Sequence, residues 1–200
     1  MCKSVLNDQS IFIEDNEIIL GFTDKEEHPI LRDFDSLWDS VEDDNNLIQG
    51  KNYHNHIATW YGHVDYAYTG VRHEAQQMPF LFQNIARDIE DQMMFPNNYF
   101  NSLLVNLYTN KGIAPHSDDE PIFMHSDGSI GAVATISLGA TAIGTITSIY
   151  PLGNKKEPLK FRLESESCYL MPEGGFQHKY KHSVSAPSGR RISLTFRHIP

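Results

Sequence analysis

Residues 112–123, GIAPHSDDEPIF, set His116, Ser117, Asp118, Asp119 and Glu120 side by side, with apolar sequence on both flanks. On an extended backbone successive side chains point to opposite faces, so His116 and Asp118 converge on one side while Ser117 turns away. A facial triad of two histidines and one carboxylate leaves three positions on Fe(II) open for a chelating co-substrate and dioxygen. H-x-D supplies two of those ligands, but alone it is also the pattern of a solvated acidic turn. The third ligand must come from elsewhere, with His125, His178, His182 and His198 as candidates.

A second cluster sits near the C-terminus, in RRISLTFRHI. Strand alternation sends Ile192, Leu194 and Phe196 to one face, and Arg191, Ser193, Thr195 and Arg197 to the other. That polar face is about 20 Å long at strand rise. Two guanidinium forks with two hydroxyls between them would make an anion-binding wall, since arginine can hold a carboxylate or phosphate bidentately. The same pattern fits an edge strand with its polar side in water.

The elements that must position these residues are readable from periodicity. DFDSLWDSVEDD predicts a short helix with Phe34, Leu37, Trp38 and Val41 on one face. MPFLFQNIARDIEDQMMF predicts an amphipathic helix with Pro79 in its first turn and Leu81, Ile85, Ile89 and Met93 on one stripe. Residues 50–75, rich in His, Tyr and Gly, predict a hairpin or loop. From residue 101 the period becomes two: SLLVNLYT, AVATISLGA, LKFRLE, SCYLMP and RRISLTFRHI read as short strands between Gly, Pro and Asn turns. The expected fold is α+β, with N-terminal helices packed on a C-terminal jelly roll.

Composition sets the limits. The chain has 200 residues and a net charge of −10, enough length for one domain with its own core. No apolar run approaches the roughly 18 residues that span a bilayer. MCKSVLNDQS lacks the basic and apolar regions of a secretory signal. Two cysteines, Cys2 and Cys168, are too few for a disulfide framework, and they predict free thiols in a reducing cytoplasmic compartment. Charge is uneven: residues 1–50 carry 13 Asp/Glu against 3 Lys/Arg, whereas residues 151–200 carry 9 Lys/Arg against 4 Asp/Glu. The basic quarter permits a polyanionic partner, and a solvated face is the plainer reading.

Taken together, ATWYGHVDYAYTG, the helix after Pro79, FNSLLVNLYTNKGIAPHSDDE, VATISLGA, YKHSV and RRISLTFR resemble the AlkB-like Fe(II)/2-oxoglutarate dioxygenases from about residue 58 to 198. HSDDEPIF and the glycine-containing strand after it are similar to the AlkB-like domains encoded by viruses. The resemblance implies a double-stranded β-helix with a nucleotide-recognition lid. The charge asymmetry marks residues 1–50 as an acidic extension, expected to pack on a dioxygenase domain of residues 51–200. The resemblance also implies Fe(II) held by His116, Asp118 and His182, the last chosen from its place in YKHSV. It implies 2-oxoglutarate held by Asn106, Tyr108, Arg191 and Arg197, with Ser193 where the family commonly has asparagine. Glu120 falls near the target base, Tyr68 falls where a ring stacks on that base opposite His116, and Trp60 and Tyr61 fall in the lid. The implied reaction is O₂-dependent demethylation of N-alkylated bases in DNA or RNA, releasing succinate, CO₂ and formaldehyde. The alternative is a hydroxylase acting on a protein or small molecule. Alkylated nucleic acid is the implied partner, with no membrane association and a monomeric state.

Overall fold

The computed structural model describes residues 9–13, 16–22, 31–43, 47–49, 56–68, 70–149 and 157–200. Two antiparallel sheets dominate it. The larger contains β1 (Gln9–Ile13), β2 (Asn16–Phe22), β4 (His56–Tyr61), β7 (Ser102–Tyr108), β9 (Val133–Gly139), β12 (Ser167–Met171) and β14 (Arg191–Arg197), in the order β1-β2-β12-β9-β14-β7-β4. The smaller contains β8 (Ile113–His116), β10 (Ala142–Ser148), β11 (Leu159–Leu163) and β13 (Tyr180–Val184), in the order β11-β10-β13-β8. A third sheet joins β3 (Leu47–Gln49), β5 (Tyr66–Tyr68) and β6 (Val71–His73). Among the described residues three α-helices complete the set: α1 (Phe34–Asp43), α2 (Phe80–Met93) and the single turn α3 (Phe176–Lys179).

The last strand lies in the middle of the large sheet. β14 pairs with β9 on one side and β7 on the other, and all seven of its residues are buried. The edge-strand reading is therefore excluded. Ile192, Leu194 and Phe196 enter the main core with Leu103, Val105 and Leu107 of β7 and Ala134, Ile136 and Leu138 of β9. Arg191, Ser193, Thr195 and Arg197 stand on the opposite face, towards the small sheet.

The helices cover the apolar face. Leu37, Trp38 and Val41 of α1 join the main core as their spacing predicts, with Phe34 partly buried against it. Asp33 caps this helix, accepting from the Ser36 amide and hydroxyl at 3.1 and 2.6 Å. In α2 the buried stripe is Phe82, Ile85, Ala86 and Ile89, while Leu81 is 39% exposed, so the predicted stripe is shifted by one residue at its start. Pro79 precedes the helix rather than entering its first turn. α2 also buries Glu90, whose carboxylate accepts the backbone N–H groups of Asn98 and Phe100 at 2.9 and 2.8 Å. These bonds offset the cost of burying a charge and fix the chain just before β7.

A second core lies between the two sheets. It unites Ile18, Val133, Tyr169 and Met171 with Ile146, Phe161, Leu163 and Tyr180. Cys168 is buried as a free thiol, and burial pushes its pKa up to about 12. Cys2 lies outside the described residues. Residues 56–61, expected as hairpin or loop, form β4 and pair with β7 along its length, from His56↔Tyr108 to Tyr61↔Leu103. The hairpin prediction holds further on, for β5 and β6.

Candidate metal centre and co-substrate cavity

The H-x-D corner is positioned by β8 and β13. In their antiparallel register His116 stands directly opposite His182, which puts both imidazoles on one face with ring centroids 4.2 Å apart. Close approach of the two strands is possible because residue 112 is glycine; a β-carbon there would collide with the Val184 carbonyl. Asp118 lies two residues beyond the end of β8. Its Oδ1 sits 3.5 Å from His116 Nε2 and 3.7 Å from His182 Nε2. The three donor atoms lie within 4.8 Å of one another, and no other such group of His, Cys, Asp or Glu occurs among the described residues.

The protonation states suit a cation. His116 Nδ1 donates to the Ala114 carbonyl at 2.9 Å, which leaves the Nε2 lone pair facing the site. Burial lowers the His182 pKa to about 4, so its imidazole is neutral near pH 7. Burial alone would raise the Asp118 pKa, but Arg197, then His182 and His116, outweigh it and hold the carboxylate below its usual range. Arg197 Nε and an Nη donate to Asp118 Oδ2 at 2.9 and 2.8 Å. This buried pair leaves Oδ1 turned to the histidines. Two imidazoles and one ionised carboxylate form a donor set of the Fe(II) type.

Beside these donors lies a cavity of about 220 Å³. Asn106, Tyr108, Ser193, Thr195, Tyr169 and Arg197 form its large-sheet wall, and β8, His182 and Val184 form the opposite one. The register explains the grouping: Ser193 faces Asn106, and Arg191 faces Tyr108, across β14 and β7. Ser193 shares a hydroxyl–hydroxyl bond of 3.2 Å with Thr195. Arg191 is buried behind this wall, not in its lining; its Cζ lies 5.1 Å from the Tyr108 ring centroid, and one Nη donates to Ser137 Oγ at 2.8 Å. Nε and the other Nη of Arg191, with one Nη of Arg197, are buried without a protein acceptor. The orphaned Arg197 donor, on the cavity lining, suits a carboxylate that would supply the missing acceptor, and the Arg191 guanidinium beside Tyr108 adds positive charge behind the same wall. Iron and 2-oxoglutarate therefore both fit the residues present.

The remaining predicted residues divide. Tyr68, 37% exposed, lines the cavity with its ring centroid 6.2 Å from that of His116. Trp60 and Tyr61 do not form a lid, because both are buried side chains of β4. Trp60 stacks on Tyr66 at 4.8 Å and donates its indole N–H to the Val64 carbonyl at 2.8 Å. Tyr61 packs on Phe82 of α2. Glu120 also stays out of the cavity lining; its Oε1 accepts the Tyr66 hydroxyl at 2.8 Å, and burial, then Asp118, raises its pKa. The other candidate histidines are engaged elsewhere: His178 with the Gly128 carbonyl at 2.8 Å, His198 with the Tyr99 carbonyl at 2.7 Å, and His125 stacked on His198.

Sequence reading missed Tyr66, His73 and Gln177. Tyr66 and His73 line the cavity from neighbouring strands, and Gln177 is bonded to the Asp118 backbone. For Tyr66 the signal was present in YAYTG, two residues from Tyr68. Gln177 offered none, because its partner is 59 residues away.

Comparison with known proteins accords with this geometry. Residues 44–197 match the profile of the 2OG-Fe(II) oxygenase superfamily. An RNA replication polyprotein of Apple stem pitting virus (isolate PA66) is 34% identical over 133 residues, and the RNA replication protein of Papaya mosaic potexvirus is 32% identical over 133. Each alignment takes in 66% of this chain but only 5% and 8% of those much longer proteins. Among solved structures, OsALKBH1 superposes with a TM-score of 0.63 at 16% identity, over 95% of this chain and 100% of that one, so the two share a fold. With the profile spanning most of the sequence and the triad in place, the chain belongs to the 2OG-Fe(II) oxygenase superfamily, whose cofactors are Fe(II), 2-oxoglutarate and O₂, on a fold shared with OsALKBH1.

Proposed function

We propose that this dioxygenase removes N-alkyl groups from bases of single-stranded nucleic acid, with RNA as the favoured strand. The observation that carries this reading is the pairing of Tyr68 and His116. A half-exposed phenol ring stands across the cavity from an imidazole whose other edge faces Asp118 and His182. A flat aromatic substrate entering there would stack on Tyr68 with its edge towards the metal donors. Stacking of a base on an aromatic side chain is worth roughly 1–3 kcal/mol. That offsets part of the few kcal/mol needed to extrude a base from a duplex, and single strands avoid the cost.

Support for a polyanion comes from the outer face of the small sheet, where Lys160, Arg162 and Lys181 are exposed, with Lys179 exposed just before β13. Lys155 and Lys156 lie outside the described residues. The viral relatives are RNA replication proteins, which favours RNA.

The roles of the side chains follow from their places. His116, Asp118 and His182 hold the iron, and Arg197 fixes the Asp118 carboxylate from behind. Asn106, Tyr108, Ser193 and Arg191 orient 2-oxoglutarate with Arg197. Iron and 2-oxoglutarate together supply the O₂-driven oxidation of a C–H bond, with succinate and CO₂ as co-products. Tyr66, held by Glu120, and Val71 of the β5–β6 hairpin wall the cavity and help keep bulk water from the alkyl group. A hydroxymethyl group left on the base nitrogen then leaves as formaldehyde, restoring the base.

The test is formaldehyde release from 1-methyladenine and 3-methylcytosine in single- and double-stranded RNA and DNA, with methylated peptides as a parallel substrate set. Release from single strands, RNA foremost, is expected. Turnover of peptides with none of oligonucleotides would overturn the reading in favour of a protein hydroxylase.

A further inference from the structure

The backbone of Asp118 needs more support than the sheet provides. The β8–β13 ladder sets His116 against His182, but β8 ends at His116 and Asp118 lies beyond it. Arg197 fixes one carboxylate oxygen and leaves the main chain unheld. Gln177 supplies what is missing. It is 1% exposed, sits on α3 just before the strand that carries His182, and accepts the Asp118 N–H on Oε1 at 3.1 Å. Its Nε2 lies 3.8 Å from Met171 Sδ, a weak acceptor, so the bond to Asp118 is its strong one. A buried amide is costly unless bonded, and this one directs its best bond at a metal donor's main chain. A second tie runs in parallel, from Ser117 Oγ to the Tyr180 carbonyl at 3.1 Å.

We propose that Gln177 is a positioning residue for the metal centre. It fixes the distance between the Asp118 backbone and the segment leading to His182, where no ladder bond does so. This rests on His116, Asp118 and His182 being the metal ligands. It adds that the placement of the Asp118 ligand is set from α3, by a residue outside the cavity lining.

The test uses the whole chain and Co(II) as a spectroscopic probe, without nucleic acid. Outer partners of metal ligands typically contribute 10- to 100-fold in metal affinity. Gln177→Met keeps the volume and loses the acceptor. It is expected to weaken Co(II) binding about tenfold or more and to change the visible absorption of bound Co(II), with the melting temperature of the metal-free protein little altered. Gln177→Glu retains an acceptor oxygen and is expected to restore most of the affinity. Met171→Leu, which removes only the contact to Nε2, should bind Co(II) as wild type does. Should Gln177→Met not fold, Gln177→Asn, which withdraws the amide by one methylene, takes its place with the same expectation. Equal affinity in wild type and Gln177→Met would overturn the proposal. So would a loss that Met171→Leu reproduces, or one that Gln177→Glu leaves unrestored, because each assigns Gln177 to packing. Failure of the wild type to bind Co(II) would remove the metal-centre reading itself, and it is seen before any variant is made.

Discussion

The two faces of β14 are equally buried and do opposite work. On one, Ile192, Leu194 and Phe196 meet apolar neighbours from β7, β9 and the helices. On the other, Arg191 and Arg197 are buried beside Asp118, Tyr108 and Ser137. Burying a guanidinium is expensive, and a buried ion pair does not by itself favour folding over well-packed apolar residues. The polar face is therefore poorly explained by stability and well explained by a ligand. The same strand thus separates what holds the protein together from what the protein holds.

Variants on the two sides should separate accordingly. The largest effect is expected from Asp118→Ala, which removes a metal donor and strands Arg197 as an unpaired buried charge. Metal-dependent turnover should vanish, and stability should fall by about 3–5 kcal/mol, read by Co(II) titration and urea denaturation. The Arg197 contact makes Asp118→Asn the cleaner test of ligation. Next, Leu194→Ala should cost about 2–5 kcal/mol of stability while its folded fraction still binds Co(II) with wild-type affinity. Loss of metal binding without loss of stability would erase the distinction between the faces.

Arg191→Met should raise the KM for 2-oxoglutarate at least tenfold, by analogy with one lost charge-assisted bond of about 1.5–3 kcal/mol, and leave the oligonucleotide KM nearly unchanged. Tyr68→Ala should do the reverse, lowering kcat/KM for a methylated oligonucleotide by about 1–3 kcal/mol at constant 2-oxoglutarate KM. The smallest effect concerns acid. Asp118 has a folded pKa below its ordinary 3.8, so its contribution to stability is complete above that value and is lost as pH falls below it. Metal-free wild type should therefore lose stability more steeply below about pH 4 than Asp118→Asn does, measured by thermal melts across that range.

What the sequence made legible was local and periodic. The alternation of RISLTFR placed its two faces, because two-residue spacing survives in any strand; H-x-D offered two donors, and the third, His182, came from the resemblance of YKHSV to the family. What it hid was long-range. Trp60 and Tyr61 lie in a His-, Tyr- and Gly-rich segment that reads as hairpin or loop, yet residues 56–61 of it find a strand partner in β7. The start of α2 presents Phe80, Leu81 and Phe82 in a row, and of the three it is Phe82 that is buried, in the main core with its ring against Tyr61. Glu120 carries no local sign that Tyr66, 54 residues earlier, would occupy one of its oxygens.

The β1–β2 hairpin has a practical bearing on how the chain can be trimmed. The superfamily profile begins at residue 44, but β2 is hydrogen-bonded to β12, and its Ile18 is fully enclosed in the core between the sheets. A fragment cut to the family boundary would leave the β12 backbone, from Ser167 to Leu170, as an open edge. Unprotected edges recruit other strands. Such a fragment is expected to self-associate more than the full chain does, which light scattering of the two would measure.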